Sequence, residues 1–594
     1  MVAETLQYSS TMRFLGDGGI DEDQSNTNAI EKIVNLLRTV PGRISEQGIK
    51  RLATRYGFEL FEEDVTDSKR RISLGGSIIL LDIDMDTQSK KITNVSLSLA
   101  SQEPSNPQYS FSSPSVFPLA NTILLQSLTE RKRLDRFANI LGFLACADKL
   151  STSVDCFRAI DEVAAALFRV YNASESAHSD ITTSWYGIPE LNPCGTLGLG
   201  LWYWQKKRHT AKIAGKHFSQ TPDENNEDDQ NEQSNELDEE FQKYMLRWSI
   251  RGQQQHKDNN PRQQQQNNYQ QPQQGRSAKY AVRYSANWLG PMLTINPNTG
   301  LVESWNEPEF VPDQKAEFVL LLDPPVYLPY TVAATLNATT DNSQSESKYY
   351  LNQIFRSSQR IVLHPNGKET KFEVSFSSLV PNPFVRVTEI PISHPRDLPE
   401  VIKQLRKAIL IDSLCQSMSL DKKTADPQPD NDEDNGEDDE ALDSELLLID
   451  ALLEGDFSTN SGHGKLGGSK ESTATVITRN ENGENITQST LLTNISLIEE
   501  NDEIFILVNL PGLNDFSFRV SPHIQDGDGG NFMGLLVGHV GFDSRKSADG
   551  KSSLNDIDIQ AIQTKLSSAL ELTEDLGIAC AYIERFLSEH NQNL

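Results

Sequence analysis

The stretch LGGSIILLDIDMDTQSKKITNVSLSLA, residues 74–100, decides the fold, because within it the apolar period becomes two. Ile79, Leu81, Ile83 and Met85 alternate with Leu80, Asp82 and Asp84, and Val95, Leu97 and Leu99 alternate with Ser96 and Ser98. Side chains at i and i+2 of a strand share a face, so the spacing predicts an antiparallel hairpin with one apolar face, turning near Asp86 to Lys91. Such a face must be covered, and both flanks read as helix. Upstream, Ile30, Ile33, Val34 and Leu37 mark a short amphipathic helix ending at Pro41-Gly42. A second helix has Ser45 as its cap, Ile49, Leu52, Ala53 and Tyr56 on one face, and Gly57 as its terminator. Downstream, Leu134, Phe137, Leu141 and Leu144 form one stripe; after a break around Ser151 to Ser153, Val154, Phe157, Ile160, Ala164 and Leu167 form another. The two stripes predict a helical hairpin beside the sheet.

Further along, LWYW (201–204), AVRYSANW (281–288), FVLLLD (318–323) and KFEVSFSSL (371–379) read as strands. HPRDLPEVIKQLRKAILIDSLCQSM (394–418) reads as a helix capped by Asp397, with Pro399 and Glu400 in its first turn and Val401, Leu405, Ala408, Ile409 and Leu414 on its buried side. LLTNISLI (491–498) and EIFILVNL (503–510) are strands leading to a closing helix around 556–588. The fold class is therefore α+β: antiparallel sheets flanked by helices in two or three units, interrupted by disordered acidic and Gln/Asn-rich inserts. The expected boundaries are a disordered tail (1–25), an N-terminal α+β domain with the helical hairpin (26–175), a central β-rich domain (176–420) carrying one disordered insert (221–275), an acidic linker (421–445), and a C-terminal α+β unit (446–594) with a Gly/Ser-rich linker (458–485).

A chain of 594 residues exceeds the size at which one hydrophobic core stops growing. Its 37% hydrophobic content and mean hydropathy of -0.49 describe folded parts diluted by polar segments. Residues 221–240 hold ten acids and no base, and 424–445 hold eleven acids and no base. These runs account for most of the net charge of -30. With the tract QQQHKDNNPRQQQQNNYQQPQQ (253–274), the first run lacks the apolar area to offset ordering entropy. An acidic chain with short basic clusters offers no surface for displacing counterions from phosphates, so no direct contact with nucleic acid is expected. MVAETLQYSST has neither a basic nor an apolar signal region, and no eighteen apolar residues run together; neither secretion nor a membrane span is expected. The five cysteines lack C-x-x-C spacing and fit a reducing compartment.

Asp82 and Asp84 share a strand face that a metal or an acid/base pair could use, but no third ligand is nearby and the wet side of a strand explains them. Gly195, Gly198 and Gly200 run into a strand rather than a helix, which suits a close-packed strand edge and not a phosphate cradle. Trp202, Tyr203 and Trp204 beside Lys206, Lys207 and Arg208 could stack bases, yet such residues are more often the core and rim of a sheet. His394 before Pro395 is a turn residue. No nucleophile, nucleotide or metal motif stands out, so no catalytic residue, cofactor or metal is expected. Ile449, Leu452 and Leu453 lie on a short helix (445–454) between an acidic run and a flexible linker. Two readings stay open for it: docking in a partner's groove, or packing on its own domain.

LDRFANILGFLACADKLSTSVDCFRAIDEVAAAL (134–167) is similar to the paired-helix segment of the Mediator subunit 1 family, and HPRDLPEVIKQLRKAILIDSLCQSM resembles the helix that ends that family's shared region. RLATRYGFEL (51–60), LGGSIILLDIDM (74–85) and NVSLSLA (94–100) follow the family's order of elements, so the resemblance spans roughly 26–420. It implies a non-enzymatic scaffold in the middle module of the nuclear Mediator complex. Such a subunit would be held by other Mediator subunits, receive transcription activators and reach the RNA polymerase II machinery indirectly. Animal members carry L-x-x-L-L boxes. This chain has no exact copy, only Ile449-x-x-Leu452-Leu453, which points to a fungal-type member. The alternative, from another class, is a cytoplasmic trafficking or sorting adaptor.

Overall fold

The computed structural model describes residues 40–100, 115–151, 155–174, 181–205, 243–252, 288–307, 316–340, 358–363, 369–378, 384–418, 474–479, 485–541 and 556–592, apart from a few single positions and short gaps within these ranges. The expected helix at Ile30 to Leu37, both acidic runs, the Gln/Asn tract and residues 281–287 lie outside them, as does the expected Gly/Ser linker 458–485 except at 474–479, which is a strand and not linker, and at 485.

The chain forms two compact units. The first contains α1 (Glu46–Tyr56), strands β1 (Glu59–Thr66), β2 (Lys69–Gly75), β3 (Ile79–Asp86) and β4 (Ile92–Leu99), and helices α2 (Ala120–Thr129) and α3 (Asp135–Leu150). Its sheet is an antiparallel meander, β1-β2-β3-β4. The alternation holds: Ile79, Leu81, Ile83 and Met85 are buried, as are Ile72 and Leu74 on the neighbouring strand. The turn falls where expected, with Asp86 Oδ1 accepting the amides of Gln88 and Ser89. In α1, the Ser45 hydroxyl accepts the Gly48 N–H at 3.1 Å, and Gly57 ends the helix at φ 90°, a left-handed conformation that glycine adopts without steric cost. The two helices approach closely at Gly142 of α3. A Cβ there would lie 3.2 Å from the Tyr56 ring, closer than the ring can accept without moving.

The second unit takes up α4 (Cys156–Ser174). The boundary thus falls between the two helices expected to pair within a single domain of residues 26–175. Its six-stranded sheet has the order β5-β6-β7-β8-β12-β9, from β5 (Ile188–Leu191), β6 (Leu199–Gln205), β7 (Lys243–Gly252), β8 (Ala316–Pro329), β9 (Thr339–Thr340) and β12 (Phe384–Ile392). β7 corrects the sequence reading. The presumed single loop 221–275 contains an interior strand, with Tyr244, Met245, Leu246, Trp248 and Ile250 buried. Ten strand-forming residues between an acidic run and a glutamine tract are outweighed in any composition window, whereas their alternating Leu246, Trp248 and Ile250 find partners only across the sheet.

A seven-stranded sheet completes this unit. β10 (Ser358–Leu363), β11 (Glu369–Ser378), β14 (Asn485–Glu500), β15 (Glu503–Leu510), β16 (Phe516–Gly527) and β17 (Gly530–Gly541) follow one another, and β13 (Ala474–Arg479) shares an edge of β14 with β15. β11 and β14 pair in parallel from Glu369 with Gln488 to Ser378 with Leu497. Strands on either side of the acidic linker therefore build one sheet, so the expected units 176–420 and 446–594 are not separate. The closing helix is two helices, α7 (Asp556–Thr573) and α8 (Leu576–Gln592). The break is at Glu574, φ 51°, after which Asp575 Oδ1 accepts the Gly577 N–H at 2.7 Å and caps α8.

Between these sheets lies α6 (Leu398–Ser417); a short helix α5 (Tyr330–Thr335) precedes β9. α6 packs on β6 and β8 of one sheet and on β16 and α8 of the other. Val401, Leu405, Ala408, Ile409 and Leu414 are buried as expected, and so are Ile402, Leu410, Ile411 and Cys415 on its other sides. With Glu400 and Gln416 its exposed positions, α6 is buried over most of its surface and is a core element rather than a surface helix. Asp397 makes no capping bond. A 3-10 turn (Pro395–Asp397) leads into the helix, and the cap is His394, whose Nδ1 accepts the Arg396 N–H at 3.0 Å.

Candidate interaction surface

Of the residues singled out for chemistry, each described one has a structural duty. Asp84 is 8% exposed and receives Arg71 Nε at 2.7 Å and an Arg71 Nη at 3.3 Å; that guanidinium holds its carboxyl below the usual carboxylate range, against the opposing effect of burial. Asp82 accepts the Ser73 hydroxyl at 2.6 Å. Among the described residues no group of three His, Cys, Asp or Glu side chains is placed to hold a metal ion. Gly200 lies on an interior strand rather than at a sheet edge; a Cβ there would sit 2.6 Å from Pro193 and 2.8 Å from the Met245 sulfur, so glycine permits the close packing. Tyr203 and Trp204 are buried, and burial raises the Tyr203 phenol well above its ordinary range, while Trp202 donates to Glu190. The Tyr203 and Trp204 rings belong to the sheet's core and are closed to a stacked base, while Trp202 is half-buried beside Glu190. Burial likewise pushes the Cys415 thiol up and out of the range of a reactive thiolate. Ile449, Leu452 and Leu453 lie outside the described residues.

Two residues whose roles the sequence does not announce organise the second unit. Arg406, 2% exposed, donates from Nε to the Tyr203 carbonyl at 2.9 Å and from Nη2 to those of Ile181 and Ser184 at 2.7 and 2.6 Å. His394, besides its cap, places Nε2 3.1 Å from the Asn306 carbonyl, which makes that nitrogen the N–H donor and leaves Nδ1 as acceptor. The rings of Trp288 and Trp305 meet it edge-on, with centroids at 5.1 and 5.3 Å. Burial lowers its pKa, so the neutral imidazole is the form that fits. The only sequence signal was the pairing of His394 with Pro395.

Among the described residues, one face and one edge of the four-stranded sheet have no element packed on them. Register places Phe61, Ser73, Asp82 and Ser96 in one row across it; Glu63, Arg71, Asp84 and Asn94 form the next, and Glu59, Gly75, Leu80 and Ser98 the third. Phe61 is 56% exposed and Leu80 42%, two apolar side chains beside Gly75 on an otherwise polar face. On the opposite face Lys50 of α1 bridges Glu46 and Glu62, both at 2.7 Å, and Arg70 reaches Glu46, Glu62 and Asp64. The β4 edge is engaged, since the Leu97 N–H donates to Asn121 Oδ1 of α2 at 2.7 Å. β1 pairs, among the described residues, with β2 alone. Among the described residues β1 thus has one edge without a pairing strand, beside a mostly polar face that carries Phe61 and Leu80.

A family model described as Mediator of RNA polymerase II transcription subunit 1 matches residues 31–419, well over half the chain. The chain belongs to the Mediator subunit 1 family. Its curated relatives agree. The family member of Schizosaccharomyces pombe is 31% identical over 179 residues, covering 29% of this chain and 37% of that protein. The Saccharomyces cerevisiae member is 32% identical over 131 residues, covering 22% of this chain and 23% of that protein. That of Kluyveromyces lactis is 31% identical over 137 residues, 22% of this chain and 30% of the relative. The aligned stretches thus span well under half of these relatives' lengths. The Mediator subunit 1 match ends at residue 419, close to the end of α6.

Proposed function

We propose that this chain is a non-enzymatic scaffold subunit of the Mediator complex. In this reading it acts in the nucleus within the middle module, is held by other Mediator subunits, and helps to bridge transcription activators to the RNA polymerase II machinery through protein contacts. The observation that carries the reading is the family match over 31–419. The duties found for Asp82, Asp84, Trp202 to Trp204 and Gly200 support it, because each is accounted for by folding. The segment with Ile449, Leu452 and Leu453 is proposed as an additional docking helix. The trafficking alternative gains no support from the family match.

The deciding experiment is affinity purification of the tagged full chain from nuclear extract, followed by mass spectrometry. Recovery of Mediator middle-module subunits is expected. Recovery of vesicle-coat components without Mediator subunits would reject the proposal.

A further inference from the structure

We propose that the free edge of β1 receives an extended basic segment of a partner protein by antiparallel strand addition. The inference rests on the reading of this chain as a binding subunit, and it names the chemistry of one partner.

The backbone makes the first argument. β1 has β2 on one side and, among the described residues, no strand on the other, so alternate N–H and C=O groups of Glu59 to Asp64 point outward. The register with β2 shifts between Asp64 and Thr66, which ends the regular edge and leaves a frame of residues 59–64. Charge makes the second. The strand ELFEEDVT has four acids and no base. Glu62 and Asp64 already meet Lys50 and Arg70 on the helix-covered face, whereas Glu59 and Glu63 project from the open face; Glu63 feels Arg71 across the strand pair, but that guanidinium is bonded to Asp84, and among the described residues neither Glu59 nor Glu63 has an ion pair of its own.

A second copy of this strand is disfavoured, because pairing β1 with itself sets Glu59 opposite Asp64 when antiparallel and acid opposite the same acid when parallel. A nucleic-acid strand would bring phosphates to the same carboxylates. A basic peptide strand suits both sides. Directly opposed residues share a face, so a strand running antiparallel to β1 should read basic-basic-basic-apolar-apolar-basic against Asp64, Glu63, Glu62, Phe61, Leu60 and Glu59. Phe61 supplies the anchor: its exposed ring leans toward Gly75, within 3.3 Å of where a Cβ would stand, and leaves its outer side for an apolar neighbour.

The test uses the full chain and a fluorescein-labelled peptide, Thr-Lys-Lys-Lys-Val-Val-Lys-Thr, at about 0.1 M salt, where the screening length is roughly 10 Å. The controls are a composition-matched scramble, Thr-Val-Lys-Lys-Lys-Lys-Val-Thr, and the first peptide N-methylated at alternate residues. We expect binding at least tenfold tighter than to either control, slowed hydrogen exchange confined to residues 59–64, and a comparable loss of affinity in Glu59→Gln/Glu63→Gln with unchanged circular dichroism. Asp82→Asn should bind as the parent does. Equal binding of all three peptides would reduce the effect to charge adhesion and overturn the inference, as would absence of binding or of slowed exchange. If exchange in 59–64 is already slow and quickens when residues 1–39 are removed, the chain fills its own edge and the inference also falls. A protein that captures Mediator subunits but not the peptide refutes the edge alone; one that takes the peptide but no Mediator subunit refutes the proposed function.

Discussion

Asp148 Oδ1 accepts the backbone N–H of Ile78 at 2.7 Å, joining the last turn of α3 to the β2–β3 turn across 70 residues of chain. The same carboxylate takes the N–H groups of Ser77 at 2.7 Å and Ile79 at 3.1 Å. Gly76 is part of the arrangement, since a Cβ there would stand 2.5 Å from Asp148 Oδ2. Asp148→Ala leaves three amides without their acceptor and should cost about 3 kcal/mol, with Asp148→Asn intermediate. Hydrogen exchange at residues 77–79 checks this: protection should drop sharply in the alanine variant and also in Gly76→Ala.

The two strand aspartates should separate under mutation. As solvated carboxylates both would be silent, but Asp84 is enclosed with Arg71 whereas Asp82 accepts the Ser73 hydroxyl and meets Arg71 at longer range. Asp84→Ala should lower the urea midpoint of the first unit clearly more than Asp82→Ala. Because the folded pKa of Asp84 is depressed, its contribution is complete above the unfolded value of about 4 and disappears as pH falls through the folded pKa. The parent should therefore lose more stability than Asp84→Asn on acidification below about pH 4.

His394 carries the opposite pH signature. Burial lowers its folded pKa, with Arg396 acting in the same direction and the Asn306 carbonyl, Asp397 and Glu307 opposing. The unfolded chain then binds more protons between the folded pKa and about 6.5, so stability rises with pH across that window and is complete above it. His394→Gln should flatten the slope between about pH 5 and 7 in thermal melts, and exchange should quicken around residues 288–306.

Core truncations should be severe. Phe137 and Leu405 are fully buried, and replacement of either by alanine should cost about 3 kcal/mol through the cavity left behind. Arg406→Leu removes the donor from three carbonyls at once and should cost at least as much, with Arg406→Lys only partly restoring stability. Chemical denaturation monitored by tryptophan emission reads the Leu405 and Arg406 variants, because Trp204 is buried in the sheet on which α6 packs, whereas Phe137→Ala is read by far-UV circular dichroism, since the first unit holds no tryptophan.

Loop replacement gives the sharpest contrast. Gln205 and Lys243 are cross-strand partners, so the ends of the intervening segment already lie side by side. Exchanging residues 206–242 for a short Gly/Ser turn should leave the melting temperature nearly unchanged, since closure entropy varies slowly with length. Extending the replacement to 221–275 removes β7 from the middle of its sheet and should abolish cooperative folding. Thermal melts of the two variants settle the difference.

The sequence by itself determined the local elements whose signal is periodic or stereochemical. The alternation from Ile79 to Met85, the Ser45 cap and Gly57 stop of α1, and the stripes of α3 and α4 follow from geometry repeated every two or 3.6 residues. It also held the ordered segments by which the Mediator subunit 1 family is recognised. The tertiary structure alone decided what depends on partners distant in the chain. β7 is ten residues between polar tracts and becomes a strand because β6 and β8 flank it; β11 joins β14 across about a hundred residues of intervening chain. Arg406 reads as a surface charge on an amphipathic helix until a second layer encloses α6, and Asp84 reads as solvated until Arg71 closes over it. The edge of β1 was hidden in the same way: a polar octapeptide shows no period of two, and only its pairing with β2 makes it a strand with one side left open. Periodicity reports which face of an element is apolar. Register, enclosure and vacancy are properties of what lies opposite, and the chain fixes those only when it folds.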